Sequence, residues 1–546
     1  MSEQNDPSIT PTQPTPDEDI HHLEAQRRAN REKAAELGLD PYGARTDDLL
    51  SLRDAAERYD EEADRDHQEN GKTEGHTDRR PVVRIAGRVV LQRDNGKLVW
   101  MNLRDQTRDS LQVAVSKRDA SEAGFALSKI ADIGDILVVE GPLMKTRAGE
   151  ITVWASDVRP ASKCLVPPPE KHSGLSDVEI RYRQRYVDMW ANPETTRALT
   201  LRSRLISHIR RFMEGRSFLE VETPVLQPQA GGAAARPFIT HMNALDMQLF
   251  MRIATELHLK RLMVGGMGRV FEIGRIFRNE GVDKQHNPEF TSMEAYQAFG
   301  DYETMAELTE TLIRELAGLS AAFWQDAGIG DGSLTLPFGE LQIDYARPFE
   351  RVTYHELFER ALGFPAGDTD RAWAEAERRG LVGKYARHLK EEGREIKASD
   401  LRGKIDDQLI VNELFEEVAE ASLDPARPTF VFDYPSALSP LTRPSKENPA
   451  IAERWDLFIA GMEIGPAYTE LNDPDIQEAK FREQLSGLDD EESTFRNLDE
   501  DFLRALKVGM PPAGGLGLGI DRLAMLMTNS PSIRDVIPFP FMRPEA

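Results

Sequence analysis

The sequence predicts a multidomain α+β protein: a small β-barrel, then a larger domain on a largely antiparallel sheet flanked by helices. Three observations predict it. Short apolar runs of strand character crowd residues 81–166. Beyond them, long helical stretches mix with strands that come in runs, not in strict alternation with helices. "VPPPEK" at 166–171 separates the two textures.

Composition bounds the possibilities. The chain has 546 residues, room for about three or four domains or one large domain with appendages. Hydrophobic residues make up 40% and charged residues 29%, enough to bury a large core. The net charge of −25 argues against a generally basic nucleic-acid binder, yet it leaves room for a local basic surface. No apolar run approaches the ~20 residues of a membrane helix. The first residues, "MSEQNDPSITPTQPTPDEDI", have neither the basic start nor the apolar stretch of a secretory signal. Cys164 is the only cysteine, so no intrachain disulfide can form, and a cytoplasmic location is expected.

Residues 1–20 are polar and proline-rich and read as a disordered tail. Residues 21–80 read as a helical N-terminal extension and linker. In 21–36, Arg27, Arg28 and Arg31 share neighbouring positions of one helix face, which reads either as a solvated helix or as an RNA-touching arm. Residues 59–80 are charged and apolar-poor and read as the linker. In 81–166, "VVRIAGRVVL", "KLVWMNL" and "SLQVAVS" are strands, "DASEAGFALSKI" a helix, and "DILVVEGPLM" and "EITVWASDV" further strands. Five strands with a helix between the third and fourth is the order of an OB-fold barrel. Residues 167–546 form the large domain, with a highly charged helical insertion at about 366–425.

"FRNEGVDKQHNPEFTSMEAYQAF", 277–299, sets charges on strand-like sequence. Side chains alternate faces along a strand. Arg278 and Glu280 therefore share a face, with Glu272 further along it, and Glu294 shares a face with Tyr296. The loop "GVDKQHNP" closes the two runs into an antiparallel hairpin. That face is either solvent-exposed with ordinary ion pairs or a ligand site. Glu256 in "ATELHLKRLMVGG" and Asp456, Glu463, Tyr468 and Glu470 in "RWDLFIAGMEIGPAYTELND" favour a site, because they too lie in apolar surroundings. Buried charges are costly unless paired. Many acids with few arginines point to cations such as Mg²⁺ and a substrate ammonium, and the arginines to a phosphate clamp. "AGGLGLGIDRLAMLM" places Arg522 where a glycine-spaced strand meets a helix; its glycines do not have dinucleotide-fold spacing. There is no phosphate-loop motif, and "HELFE" lacks the second histidine of a zinc protease.

These pieces, in this order, resemble the class II aminoacyl-tRNA synthetases, and within them the bacterial-type lysyl-tRNA synthetases, over about residues 80–546. "FLEVETPVLQPQAGGAAARPFITH" is similar to motif 1 and the segment after it, "FRNEGVDKQHNPEFTSMEAY" to motif 2, and "GLGLGIDRLAMLMTNSPSIRDVIPFP" to motif 3. "GGAAARPFITH", "HNPEFT" and "TELND" resemble the lysine branch. The resemblance implies a class II catalytic domain on an antiparallel sheet. It also implies a cycle in which lysine and ATP give lysyl-adenylate and pyrophosphate, and lysine then passes to the 3′ end of tRNA(Lys). It assigns Arg278 and Arg522 to catalysis, and Arg278, Glu280, His286, Phe290, Glu463 and Arg522 to ATP. Glu256, Arg278, Glu294, Tyr296, Tyr468 and Glu470 fall to lysine, Asp456 and Glu463 to Mg²⁺, and Arg93, Trp100, Gln112 and Glu150 to the anticodon. Trp100 is alternatively barrel core, and Gln112 and Glu150 plain surface. The resemblance further implies a homodimer built on motif 1. The chain departs from the family at Pro466, where asparagine is usual, at Asp456, where glutamate is commoner, and at Gln285, where a basic residue often stands. Two other readings compete: an enzyme that lysylates proteins, whose relatives lack the barrel, and a silent RNA-binding relative, which would be free to lose Arg278, Arg522, Glu280 or Glu463.

Overall fold

The computed structural model describes residues 22–166, 175–233, 235–382, 402–403, 406–486 and 499–544. The expected disordered tail and most of "VPPPEK" lie outside them. The described chain divides into two units, 1–196 and 197–546.

In the first unit, β1 (Val82–Asp94), β2 (Leu98–Arg104), β3 (Leu111–Ser116), β4 (Ile136–Lys145) and β5 (Ile151–Ala155) close a barrel. They run in the order β1-β2-β3-β5-β4, and β4 returns to pair with β1. Helix α1 (Glu122–Ile130) lies between β3 and β4, as the OB order requires. Alternation sets the interior: Ile85, Val99, Met101, Val113, Val139 and Val153 fill it, Trp100, Gln112 and Trp154 face outward, and Ala114 and Thr152, on that same outer face, are buried as well. A sixth strand, β6 (Asp157–Ser162), extends the sheet beside β4.

The N-terminal segment differs from expectation in two places. The stretch read as linker holds a helix, Glu61–Asn70, whose Asp64 carboxylate accepts from the Lys145 N–H (2.9 Å) and from the Tyr59 hydroxyl (3.0 Å). Arg27, read as part of a candidate RNA arm, is buried and donates to the carbonyls of Ile133 and Cys164 (both 3.0 Å). It anchors the helix His22–Glu36 to the barrel and is not free to meet RNA.

The second unit is built on an eight-stranded sheet. In chain order its strands are β7 (Leu219–Glu220), β8 (Arg269–Phe277), β9 (Glu289–Ala298), β10 (Glu350–Thr353), β11 (Thr429–Phe432), β12 (Arg454–Ile459), β13 (Met462–Thr469) and β14 (Ala513–Gly519). Across the sheet they run β10-β11-β12-β13-β14-β9-β8-β7. Only the two outermost pairs are parallel. One face packs Phe271, Met293, Ala295, Leu516 and Leu518 into the main core. Helix α2 (Tyr302–Asp326) covers that core with a stripe including Met305, Leu312, Ile313 and Leu316, the spacing of an amphipathic helix. Of the expected insertion, the described parts include the helices Thr369–Arg378 and Asp407–Leu414 and a π-helical turn, Phe415–Ala419, around a separate core.

Two central strands approach unusually closely. A Cβ on Gly465 would stand 1.8 Å from the Gly517 carbonyl oxygen, so only glycine lets β13 lie beside β14 there. Gly465→Ala should destabilise the second unit by about 3 kcal/mol, read as a fall in denaturation midpoint. Gly367→Ala, with open space around it, should stay within about 0.5 kcal/mol.

Candidate active-site cleft

The strand period that fills the core with one set of side chains sends the other set into a cleft of about 460 Å³. β14 supplies its floor. Gly515, Gly517 and Gly519 fall on the cleft face, so the central strand presents backbone and no side chains. Their cross-strand partners are Tyr296 and Tyr468 beside Gly515, Glu294 beside Gly517, and Ser292 beside Gly519. This is what the glycine spacing is for. A Cβ on Gly515 would fall 1.8 Å from Glu470 Oε1 and 2.6 Å from the Tyr296 ring.

The expected hairpin is present, with Phe277 opposite Glu289 and Glu272 opposite Glu294. Arg278 lies one residue beyond β8 and donates its N–H to the Pro288 carbonyl (2.9 Å), which closes the loop. Glu280 stands in that exposed loop, not on the strand, because pairing ends at Phe277. Glu272 does not serve the cleft: it is buried against Arg252 and accepts from the Thr223 N–H and hydroxyl (3.1 and 2.7 Å).

The cleft has two chemically opposite ends. At one, Arg278 lies over the Phe290 ring at 5.3 Å, and its Nε is a buried donor without a hydrogen-bond partner among the described residues. Arg522 donates to the Glu463 carbonyl (2.5 Å) and to His286 Nε2 (3.1 Å). That leaves the His286 proton on Nδ1, facing Asp283 (2.8 Å). Glu280, His286, Phe290, Glu463 and Arg522 all border the cleft with Arg278. Planar guanidiniums and a donor with nothing to bond suit anionic oxygens.

At the other end carboxylates gather. Glu294 Oε1 accepts from the Thr255 N–H (3.0 Å) at the start of helix α3 (Glu256–Val264), and its Oε2 accepts from the Tyr296 hydroxyl (3.3 Å). Glu256 opens that helix and accepts from Lys260 Nζ (2.6 Å). Glu470, at the end of β13, is 1% exposed and pairs with the same Lys260 ammonium through Oε2. Its Oε1 has no hydrogen-bond partner among the described residues. Burial pushes the Glu294 carboxyl up to about 7 and raises Glu470 as well, against the pull of Lys260. Burial and the nearby carboxylates hold the Tyr296 phenol neutral. Glu256, Glu294, Tyr296 and Tyr468 border the cleft; Glu470 does not, but its Oε1 stands where a Cβ on Gly515 would fall, on the cleft face of β14.

Asp456 departs from expectation: both its oxygens accept from Arg454 (2.9 and 2.6 Å), and it does not border the cleft. Residues two apart on a strand share a face, so this pairing follows from β12 itself. Among the described residues no group of three or more His, Cys, Asp or Glu is arranged to hold a metal. Negative charge is nonetheless in excess nearby. Burial and the carboxylates of Glu416, Asp456 and Glu463 push Glu420 up to about 8. Burial and Asp456 likewise raise Glu463. Oxygen donors under such repulsion suit a hard cation that brings further ligands of its own.

In the barrel, Arg93 pairs with Trp100, Trp100 with Ala114, and Ala114 with Trp154, in one row across the outer face. Val99 and Met101 take the interior, so the alternative of Trp100 as barrel core is excluded. Gln112 accepts from the Thr152 hydroxyl (2.8 Å) on the same face, and Glu150 is exposed in the turn before β5. Sequence reasoning passed over Trp154, Arg454 and Lys260. The first was legible from strand alternation in "ITVWA", the second from its place two residues before Asp456, and the third from its place four residues after Glu256.

The family described as tRNA synthetases class II (D, K and N) matches residues 177–543, and the OB-fold nucleic acid binding domain matches 83–161. The chain is 43% identical over 534 residues to the lysine–tRNA ligase of Pelotomaculum thermopropionicum, covering 97% of this chain and 96% of that one. It is 42% identical over 528 residues to that of Streptococcus suis, covering 96% and 99%. It is 46% identical over 471 residues to that of a Synechococcus species, covering 85% and 88%.

Gly515→Ala should drive the new methyl into Glu470 and Tyr296 and weaken binding at the carboxylate end selectively. Calorimetry should show L-lysine affinity falling about tenfold or more, with ATP affinity within about twofold.

Proposed function

The chain belongs to the class II tRNA synthetases of the D, K and N branch, and on that premise we infer that it activates L-lysine with ATP and transfers the lysine to tRNA(Lys). One observation carries the lysine reading: a single cleft joins an arginine end to a buried end with more carboxylates than resident cations.

Lysine enters with its ammonium groups toward the acids. Glu256 and Glu294 take the α-ammonium, Tyr296 and Glu470 the ε-ammonium, and Tyr468 walls the channel between. The free Oε1 of Glu470 supports this placement. ATP lies over the glycine floor, its adenine between Phe290 and Arg522, its amino group at Glu280, and its distal phosphates at His286. Arg278 holds the α-phosphate against the lysine carboxylate, a role supported by its unpartnered Nε. Gln285, which borders the cleft, leaves the triphosphate one cation short of the usual family pattern.

The lysine carboxylate is already ionised at pH 7 and needs no general base. Its oxygen forms a bond to the α-phosphorus as the bond to pyrophosphate breaks. Negative charge accumulates on the phosphoryl oxygens, where Arg278 and Arg522 are fixed in advance. Glu463, and Asp456 if it shares its oxygens with Arg454, would hold Mg²⁺, which supplies charge neutralisation at the phosphates. A ribose hydroxyl at the tRNA 3′ end then attacks the acyl carbon and releases AMP. An apolar amino acid would leave buried carboxylates unpaired, which rejects it strongly without an editing step.

The barrel's outer face, with Arg93, Trp100, Gln112 and Glu150, reads the anticodon, and Trp154 adds an aromatic surface in the same row. Exposed Leu226, Ile239 and Met242 on a small three-stranded sheet, with Leu245 in its connecting turn, support a homodimer. No described helix is long and apolar enough to cross a membrane. A cytoplasmic location rests on the single cysteine.

Exchange of pyrophosphate into ATP, tested with all twenty amino acids, should occur with lysine and stay at background with the others. Exchange with a different amino acid would contradict the assignment of Glu256, Glu294 and Glu470. Trp100→Ala should raise the KM for tRNA(Lys) about tenfold and leave lysine-dependent exchange unchanged.

A further inference from the structure

We propose that Lys260 is a positioning residue that sets the charge of the amino-acid pocket: its buried ammonium ties Glu256 to Glu470 and leaves two carboxylate charges for the two ammonium groups of lysine. This rests on the lysine reading above.

Lys260 is 0% exposed, although its side chain is long and charged. Its ammonium meets Glu256 Oε1 at 2.6 Å and Glu470 Oε2, and stands 6.0 Å from the centre of the Tyr296 ring. Burial alone would draw its proton off. Glu256 and Glu470 outweigh that and hold its pKa above the ordinary lysine value.

A bland alternative is a helix-face ion pair between residues four apart. Two observations weigh against it. First, the pair is not at the surface, and a buried ion pair is often no more stable than apolar side chains of similar volume. Stability alone gives little reason for a lysine here. Second, the ammonium has a second partner 210 residues further along the chain, on another element: Glu256 borders the cleft, and Glu470 reaches the place a Cβ on Gly515 would take on the cleft face of β14.

The charge count follows from the same geometry. Glu256, Glu294 and Glu470 offer three carboxylates, and Lys260 is the cation placed among them. Among the described residues two negative charges remain unmatched, and L-lysine carries two ammonium groups. With Lys260 in place, Glu470 turns one oxygen inward to the resident ammonium and keeps the other unpartnered. Without Lys260, Glu470 would face Glu256 with no cation between them and hold its proton to higher pH.

The test is Lys260→Met and Lys260→Ala in the full chain, with steady-state pyrophosphate exchange measured against pH. In Lys260→Met, the KM for lysine should rise about thirtyfold while the KM for ATP stays within about twofold. Removing the ammonium raises the carboxylate pKa values, so the rising acid limb of kcat/KM for lysine should move to higher pH by about one unit. In Lys260→Ala, added propylammonium should recover part of the lysine KM by refilling the vacated place. Three results would overturn the proposal: an unmoved acid limb with unchanged lysine KM, equal loss of ATP and lysine affinity together with a lower melting temperature, or no recovery with propylammonium. Absence of lysine-dependent exchange in the unaltered chain would fell the lysine reading first, and this inference with it.

Discussion

Burying an ionised carboxylate in a sheet costs several kcal/mol unless a partner repays it. The cleft buries or half-buries three of them, Glu256, Glu294 and Glu470, around the ammonium of Lys260. Much else in the second unit serves to make that concentration possible. The glycines of β14 clear space for Glu470 and Tyr296. The start of helix α3 offers Glu294 a backbone N–H and the positive end of its dipole. The long helix α2 and the opposite face of the sheet supply the apolar core that holds these strands in register.

The arginine end obeys the complementary rule. The Arg278 backbone N–H is tied to the Pro288 carbonyl and its guanidinium lies over the Phe290 ring, Arg522 donates to the Glu463 carbonyl and to His286, and both side chains border the cleft. Cationic and anionic groups thus sit at opposite ends of one floor, and an amino-acid zwitterion with a cationic side chain has one orientation that satisfies both. Orientation of this kind brings a carboxylate to a phosphorus without any group that must first lose a proton.

Much of this was legible in the sequence. The barrel order, the hairpin, and the cleft-facing Arg278, Glu294 and Tyr296 follow from a period of two, which strands impose on any sequence. The glycines of "GGLGLG" signalled close approach, although not what approached them. Tertiary partners were less visible. Glu272 reads like Glu294 along the strand, and only the fold brings Arg252 against it. Glu280 was assigned to the strand because alternation does not say where pairing stops. The helix at Glu61–Asn70 is nearly devoid of apolar residues, and what fixes it is the buried Asp64, a polar contact that hydrophobic periodicity does not register. Lys260 was hidden for a related reason: a glutamate and a lysine four apart look like a surface pair until Glu470 arrives from the end of β13.

The central claim is that substrate ammonium groups neutralise buried carboxylates, and proton release tests it most directly. In the free cleft the Glu294 carboxyl, raised to about 7, is roughly half protonated near pH 7. Lysine is already fully protonated on both amino groups at that pH, so it has no proton to take up. Its ammonium favours the ionised carboxylate and lowers that pKa, so binding should expel protons, with affinity rising as pH rises from about 6 toward about 7.5. Calorimetric titration of L-lysine at pH 7, in buffers of different ionisation enthalpy, counts those protons. The account predicts release of up to about half a proton per lysine bound. No net release, or uptake, would mean that the carboxylates are not what receives the substrate's charge.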